Sequence, residues 1–172
     1  MVNRKSAMKI NLCESLREIM LKKPFEKITI KNICDEAGVI RATFYNHFED
    51  KYDCLNAIVA MDMLNDEQEI IDVESMFKEI SLNKPFYRMA YRVEGQNSFK
   101  DMMIDNIAMI INRYFKSKRN NYLKEEFSDL FLARYYATMI ELYVHEWIFS
   151  NDRFSLDKLR ILLGTSFYDF VK

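Results

Sequence analysis

Residues 29–48 read TIKNICDEAGVIRATFYNHF, and the order of residue types in this stretch specifies two short helices about a tight turn. Thr29 is a good N-cap for a helix over Ile30 to Ala37, and Gly38 stands where a helix C-terminus needs a residue at positive φ. Val39 to Phe48 reads as the next helix. Glu49-Asp50 then supplies a break and an N-cap for a longer helix starting at Lys51. Two short helices pivoting on a glycine turn make a helix-turn-helix, whose second helix lies in the major groove of duplex DNA. Ile30, Ile33, Ala37, Val39, Phe44 and Phe48 are the expected shared core. Between these anchors Arg41, Ala42, Thr43, Tyr45, Asn46 and His47 project outward. A helix that only packs gains little from exposing aromatic and hydrogen-bonding groups beside small ones, whereas a groove-reading surface needs that mixture.

Helical periodicity continues on both sides of the motif. Met8, Leu12, Leu16 and Ile19 form one apolar face of a first helix, which ends near Lys22-Lys23-Pro24 because proline forbids its continuation. Further helices are expected over about 51–71, 74–82, 85–92, 97–118, 126–150 and 155–171, about nine in all. Composition agrees. Average usage would place roughly a dozen glycines and nine prolines in a chain of this length, and there are 3 and 2 among 172 residues. So few corners argue against sandwiches, barrels and doubly wound sheets. The expected architecture is all-α, with a three-helix DNA-binding domain over residues 1–50 and a helical effector and dimerisation domain over 51–172.

Hydrophobic residues make up 49% and charged residues 30%, with 25 Lys+Arg against 26 Asp+Glu. That is the balance of a globular protein, not of a disordered tail or a strongly basic coat. No apolar run approaches the roughly 18 to 20 residues of a membrane span. Arg4, Lys5, Glu14 and Arg17 interrupt the first twenty residues, so no signal peptide is expected, and the cytoplasm is the expected location. Charge is unevenly placed: residues 1–51 carry 10 basic and 7 acidic side chains, a net +3, and the remainder carries −4. The asymmetry points a nucleic-acid partner toward the first third. Cys13, Cys34 and Cys54 are odd in number and never form a Cys-x-x-Cys pair, which fits buried, reduced thiols. With His47 the one conceivable fourth ligand, neither a metal nor a cofactor is expected.

Residues 25–55, FEKITIKNICDEAGVIRATFYNHFEDKYDCL, resemble the DNA-binding domain of TetR-like (TetR/AcrR) transcriptional regulators. The shared features are Thr29, Ala37-Gly38-Val39, Tyr45-Asn46-His47-Phe48 and Lys51. The resemblance implies phosphate contacts from Thr29, Tyr45, His47 and Lys51, and base-edge contacts from Arg41, Ala42, Thr43 and Asn46. Physical chemistry supports each assignment. Thr29 offers a hydroxyl at a helix start, where anions are favoured, and Tyr45 and Lys51 carry donors long enough to reach the DNA backbone. Small Ala42 permits close approach and a thymine-methyl contact, and Arg41 can bond guanine O6 and N7. One position departs from the family pattern: Ile40 stands where a Ser or Thr commonly caps the recognition helix and touches a phosphate.

Residues 72–172 carry no enzyme signature, and His145, the one candidate base, sits among Tyr136, Met139, Tyr143 and Trp147 as a packed histidine would. No catalytic residue is assigned. The helix over 126–150 is apolar on two stripes, Phe131, Tyr135, Leu142, Phe149 and Leu132, Tyr136, Met139, Tyr143, Trp147, so a partner is expected to cover one. The last helix repeats the theme, with Leu163 on its apolar side and Gly164 permitting close approach. TetR-like regulators pair through their last two helices. The resemblance therefore implies a twofold homodimer on a palindromic double-stranded operator, with Met139, Tyr143, Trp147, Leu163 and Gly164 at the interface. It also implies an effector pocket, for which Phe86, Tyr87, Met89, Tyr91, Phe99, Met102, Met103 and Tyr135 are the lining candidates for a small apolar effector. The segment Glu94-Gly95-Gln96-Asn97-Ser98-Phe99 and the Trp147-containing helix are similar to the branch of dihydroxyacetone-kinase operon regulators, in which a partner protein can replace a ligand. The expectation is a dimeric repressor released by an effector. The alternative is a DNA-tethered helical module that recruits a coactivator protein.

Overall fold

A computed structural model describes residues 4–63, 73–95, 98–117 and 127–150, with positions 155, 157, 158 and 161. Among these residues the protein is all-α: α1 (Arg4–Met20), a 3₁₀ turn (Phe25–Lys27), α2 (Ile30–Ala37), α3 (Arg41–Tyr45), α4 (Lys51–Met63), α5 (Val73–Leu82), α6 (Lys84–Ala90), α7 (Phe99–Ser117) and α8 (Asp129–Phe149). Of the expected last helix, Asp157, Lys158 and Ile161 are helical, and the rest, with Leu163 and Gly164, lies outside the described residues.

The chain forms two compact units, residues 1–61 with 85–99, and residues 62–84 with 100–172. The first unit thus takes in more than the 1–50 expected of a DNA-binding domain, because α4 and α6 contribute to its interior. Leu12, Leu16 and Ile19 of α1 are buried as their spacing requires, together with Phe25, Ile28, Ile33, Phe44, Phe48, Leu55 and Ile58. Arg17 explains why α6 belongs here. Its guanidinium lies 4.8 Å from the centre of the Phe86 ring and its Nε is 3.5 Å from Glu14, so an almost fully buried cation is held by a π-face and a carboxylate. Cys13 and Cys54 are also buried, each thiol directed at a backbone carbonyl of the opposite helix, Cys13 to Cys54 O and Cys54 to Leu12 O, both at 3.9 Å.

In the second unit α8 buries Leu132, Ala133, Ala137, Ile140, Tyr143, Val144 and Ile148. Phe77 of α5 packs 4.8 Å from the Trp147 ring and 6.2 Å from Tyr143, and Lys84 Nζ covers Trp147 at 4.6 Å. The Tyr143 hydroxyl accepts from Ser155 N–H at 2.9 Å and donates to Ser155 O at 2.5 Å. The stripe through Met139, Tyr143 and Trp147 is therefore half-buried or buried within the unit. The other stripe, Phe131, Tyr135, Leu142 and Phe149, is exposed.

Candidate nucleic-acid interface

Each boundary of the motif has a local chemical cause. Thr29 Oγ1 accepts from Asn32 N–H at 3.2 Å and donates to Asn32 Oδ1 at 3.0 Å, and that same Oδ1 accepts from Thr29 N–H at 3.1 Å. This reciprocal capping box fixes the start of α2. Lys23 places its ammonium 2.7 Å from Asn32 Oδ1, adding a positive charge at the end of α2 where anions are favoured. The sequence carries no signal for this role of Lys23, since its position before Pro24 gives no helical register from which to place it.

Gly38 adopts φ 67°, ψ 34° as expected, and the helix closes with Val39 N–H on Cys34 O at 2.9 Å and Gly38 N–H on Asp35 O at 3.3 Å. This Schellman closure has a consequence for the next element. It draws Val39 out of helical register, Ile40 follows in extended backbone at φ −85°, ψ 157°, and α3 begins only at Arg41. The recognition helix is therefore five residues, Arg41–Tyr45, in place of the expected Val39–Phe48, and Asn46, His47 and Phe48 continue as hydrogen-bonded turns. Asp50 caps α4, accepting from Tyr52 and Asp53 N–H at 2.8 Å each.

Most of the assigned side chains are accessible. Phe44 and Phe48 are buried with ring centres 5.5 Å apart, anchoring α3 from beneath, while Arg41, Ala42, Tyr45 and Asn46 are exposed and Thr43 and His47 are half-buried. Thr29 is exposed at the head of α2. No acidic residue occurs from Ala37 to Phe48, so α3 itself carries no carboxylate to repel phosphate. Val39, Ala37 and Ile30, expected in the shared core, are half-buried.

Lys51 stands apart from the set. Its ammonium donates to Phe25 O at 2.8 Å, Ile28 O at 3.0 Å and Glu26 O at 3.4 Å, and sits 4.4 Å from the Phe25 ring centre. Burial lowers its pKa below the ordinary lysine value, with the Glu26 and Asp50 carboxylates pulling the other way. In place of reaching outward as sequence suggested, the cation closes the turn that leads into Thr29. Replacing Lys51 with Met should therefore lower stability by about 1.5 to 3 kcal/mol, the range for hydrogen bonds to a charged group. The salt slope of DNA binding should change little. A denaturation midpoint unchanged by the substitution would contradict this role.

The residues suggested for an effector pocket fall into different environments. Phe86, Tyr87 and Phe99 are buried in the first unit, their rings meeting edge-to-face with centres 5.4 to 6.5 Å apart, and Tyr91 adds a further contact to Phe99 at 5.0 Å. Met89 is half-buried there. Met102, half-buried, and Met103, buried, belong to the second unit, and Tyr135 is exposed on α8. The aromatic members in the first unit pack on one another, as core residues do.

The amino-terminal part, residues 13–58, matches the family model "Bacterial regulatory proteins, tetR family", and residues 68–163 match "Transcriptional regulator C-terminal region". The chain belongs to the TetR family of transcriptional regulators. Members of this family bind DNA, typically as dimers, and are not enzymes. The chain is 20% identical over 157 residues to the HTH-type dhaKLM operon transcriptional activator DhaS of Lactococcus lactis subsp. lactis (strain IL1403), covering 86% of this chain and 82% of that protein. The solved structure of a dihydroxyacetone kinase operon activator DhaS superposes with a TM-score of 0.64 at 18% identity, over 95% of this chain and 96% of that one. That likeness establishes the TetR-type fold. Among the described residues no helix is long and apolar enough to cross a membrane.

Proposed function

We propose that this TetR-family chain acts as a homodimer that reads a palindromic operator with α3. The observation that carries the reading is the exposed surface of Arg41, Ala42, Tyr45 and Asn46, held up by buried Phe44 and free of carboxylates. Arg41 and Ala42 suit base edges, with Thr43 and Asn46 beside them, while Tyr45, His47 and the Thr29 end of α2 suit phosphates. Dimerisation is assigned to the exposed stripe of α8. Phe131, Tyr135, Thr138, Leu142, His145 and Phe149 follow one another at alternating spacings of four and three, the pattern of a seam between helices. An open concavity of about 530 Å³ beside it is lined by Leu130, Phe131, Tyr135 and Met139 among others. Two half-sites then lie about one helical turn, or a multiple of it, apart.

The direction of control favours activation over the repression expected from the family resemblance, because the similar Lactococcus lactis protein is named a transcriptional activator. Activation also suits the alternative in which a partner protein takes the place of a small molecule, and the mutual packing of Phe86, Tyr87 and Phe99 supports it. The test is selection of duplexes from a random library by the full-length protein, followed by titration at matched salt. Arg41→Ala should cost about 1 to 3 kcal/mol of specific binding and relax sequence choice at one position of each half-site. A reporter driven from the selected operator then reads the sign of control. Recovery of no preferred duplex would refute the proposal.

A further inference from the structure

Ile40 is 72% exposed at the mouth of the recognition helix. It occupies the N-cap position of α3 without making a side-chain cap bond, so its side chain contributes nothing to holding the helix. Nor does it contribute to the core, where Phe44 and Phe48 supply the apolar contacts. A serine or threonine here would stabilise the helix start by about 1 kcal/mol. A β-branched aliphatic group that serves neither fold nor cap, and lies in water next to Arg41 and Ala42, is explained by what it meets when the surface is covered. In helix-turn-helix docking the N-terminal residues of the second helix are those that approach base edges. The apolar feature that the major groove presents is the thymine 5-methyl group, which aliphatic and small apolar side chains contact.

We infer that Ile40 is a specificity-determining residue that packs on a thymine methyl in each operator half-site, next to the base pair read by Arg41. The inference rests on the operator-binding reading given above and adds the chemistry of one base to it. A serine or threonine at this position donates a hydrogen bond that a phosphate accepts regardless of sequence, whereas an isoleucine has only dispersion and apolar burial to offer. The exchange converts a backbone contact into a base contact. It also removes one hydrogen bond to phosphate from the complex.

The experiment removes one methyl group at a time. With the operator recovered by selection, each thymine is replaced by deoxyuridine, and the full-length wild-type protein and Ile40→Ser are titrated on every duplex at matched salt. Burial of a single methyl group corresponds to about a fourfold change in affinity per half-site, or about 15-fold when both half-sites are changed together. The expected result is one thymine per half-site whose methyl matters to the wild-type protein and is indifferent to Ile40→Ser. The serine variant should melt no lower than the wild type, since it gains a cap and loses no packing. If deoxyuridine affects both proteins equally at every position, Ile40 does not read thymine and the inference is overturned while operator binding stands. If selection yields no preferred duplex, the operator-binding reading fails, and this inference with it.

Discussion

Phe44→Ala should abolish the proposed operator binding and leave the second unit folded. The side chain is fully buried, its ring 5.5 Å from Phe48 and 5.7 Å from Tyr45. It is also the one buried residue in α3. Truncating a buried phenylalanine costs about 3 to 5 kcal/mol, a large share of the 5 to 15 kcal/mol that ordinarily separates a folded domain from its unfolded state. The loss falls on an element with little stability of its own. A five-residue helix cannot persist without tertiary contacts, since isolated helices need about 12 to 15 residues to be even marginal. Once its anchor is gone, Arg41, Ala42 and Tyr45 lose the common orientation that presents them to a groove. Urea unfolding followed by far-UV circular dichroism should show an early transition for the first unit. The later transition should stay in place. A single unshifted transition with wild-type DNA affinity would contradict the assignment of Phe44 as the anchor.

Leu142→Glu should convert the protein to a monomer without unfolding it. Leu142 is 57% exposed in the chain alone, so the substitution changes monomer stability by no more than about 0.5 kcal/mol. In a seam formed with a second copy, the same position would bury a carboxylate from each protomer against Tyr135, Thr138 and Phe149, a cost of several kcal/mol unless a cation pairs with each. Operator affinity should fall more than 100-fold, because two half-sites can no longer be bound as one event. Sedimentation equilibrium checks the first result and titration the second. Tyr143→Ala provides the contrast. It breaks the Ser155 hydrogen bonds and the packing on Phe77, so it should lower the melting temperature and act on dimerisation only through the fold. A Leu142→Glu protein that still sediments as a dimer would place the interface elsewhere.

Elements set by local chemistry were readable from sequence, and those set by tertiary contact were not. Thr29, Gly38 and Asp50 act on their own neighbours through caps and a positive φ, and all three stand where the chain order puts them. The length of α3 is not legible in the sequence because the closing bond from Val39 to Cys34 spans the turn, and an apolar Val39-Ile40 pair fits a helical period as well as an extended link. By sequence alone Lys51 is a donor long enough to reach the DNA backbone. Its destination depends on how the Phe25–Lys27 turn lies against α4, which no spacing rule encodes. The sequence reading puts Met139, Tyr143 and Trp147 at a dimer interface, because the two stripes of α8 are similarly apolar and periodicity does not tell which one faces the interior. Packing by Phe77 assigns the Tyr143 stripe to the interior of its unit. Phe86 and Tyr87 belong with the first unit because Arg17, sixty-nine residues upstream of Phe86, lays its guanidinium on the ring.

The brevity of α3 limits how much one subunit can say about a DNA sequence. Five residues rise about 7.5 Å along a helix axis, which spans little more than two base-pair steps of about 3.4 Å. A word that short recurs by chance throughout any genome, and competing sites would dilute a lone reader. If the chain reads DNA as the proposed homodimer, selectivity is a product of two abbreviated words and the fixed distance between them, so the ruler that sets that distance carries as much information as the letters themselves.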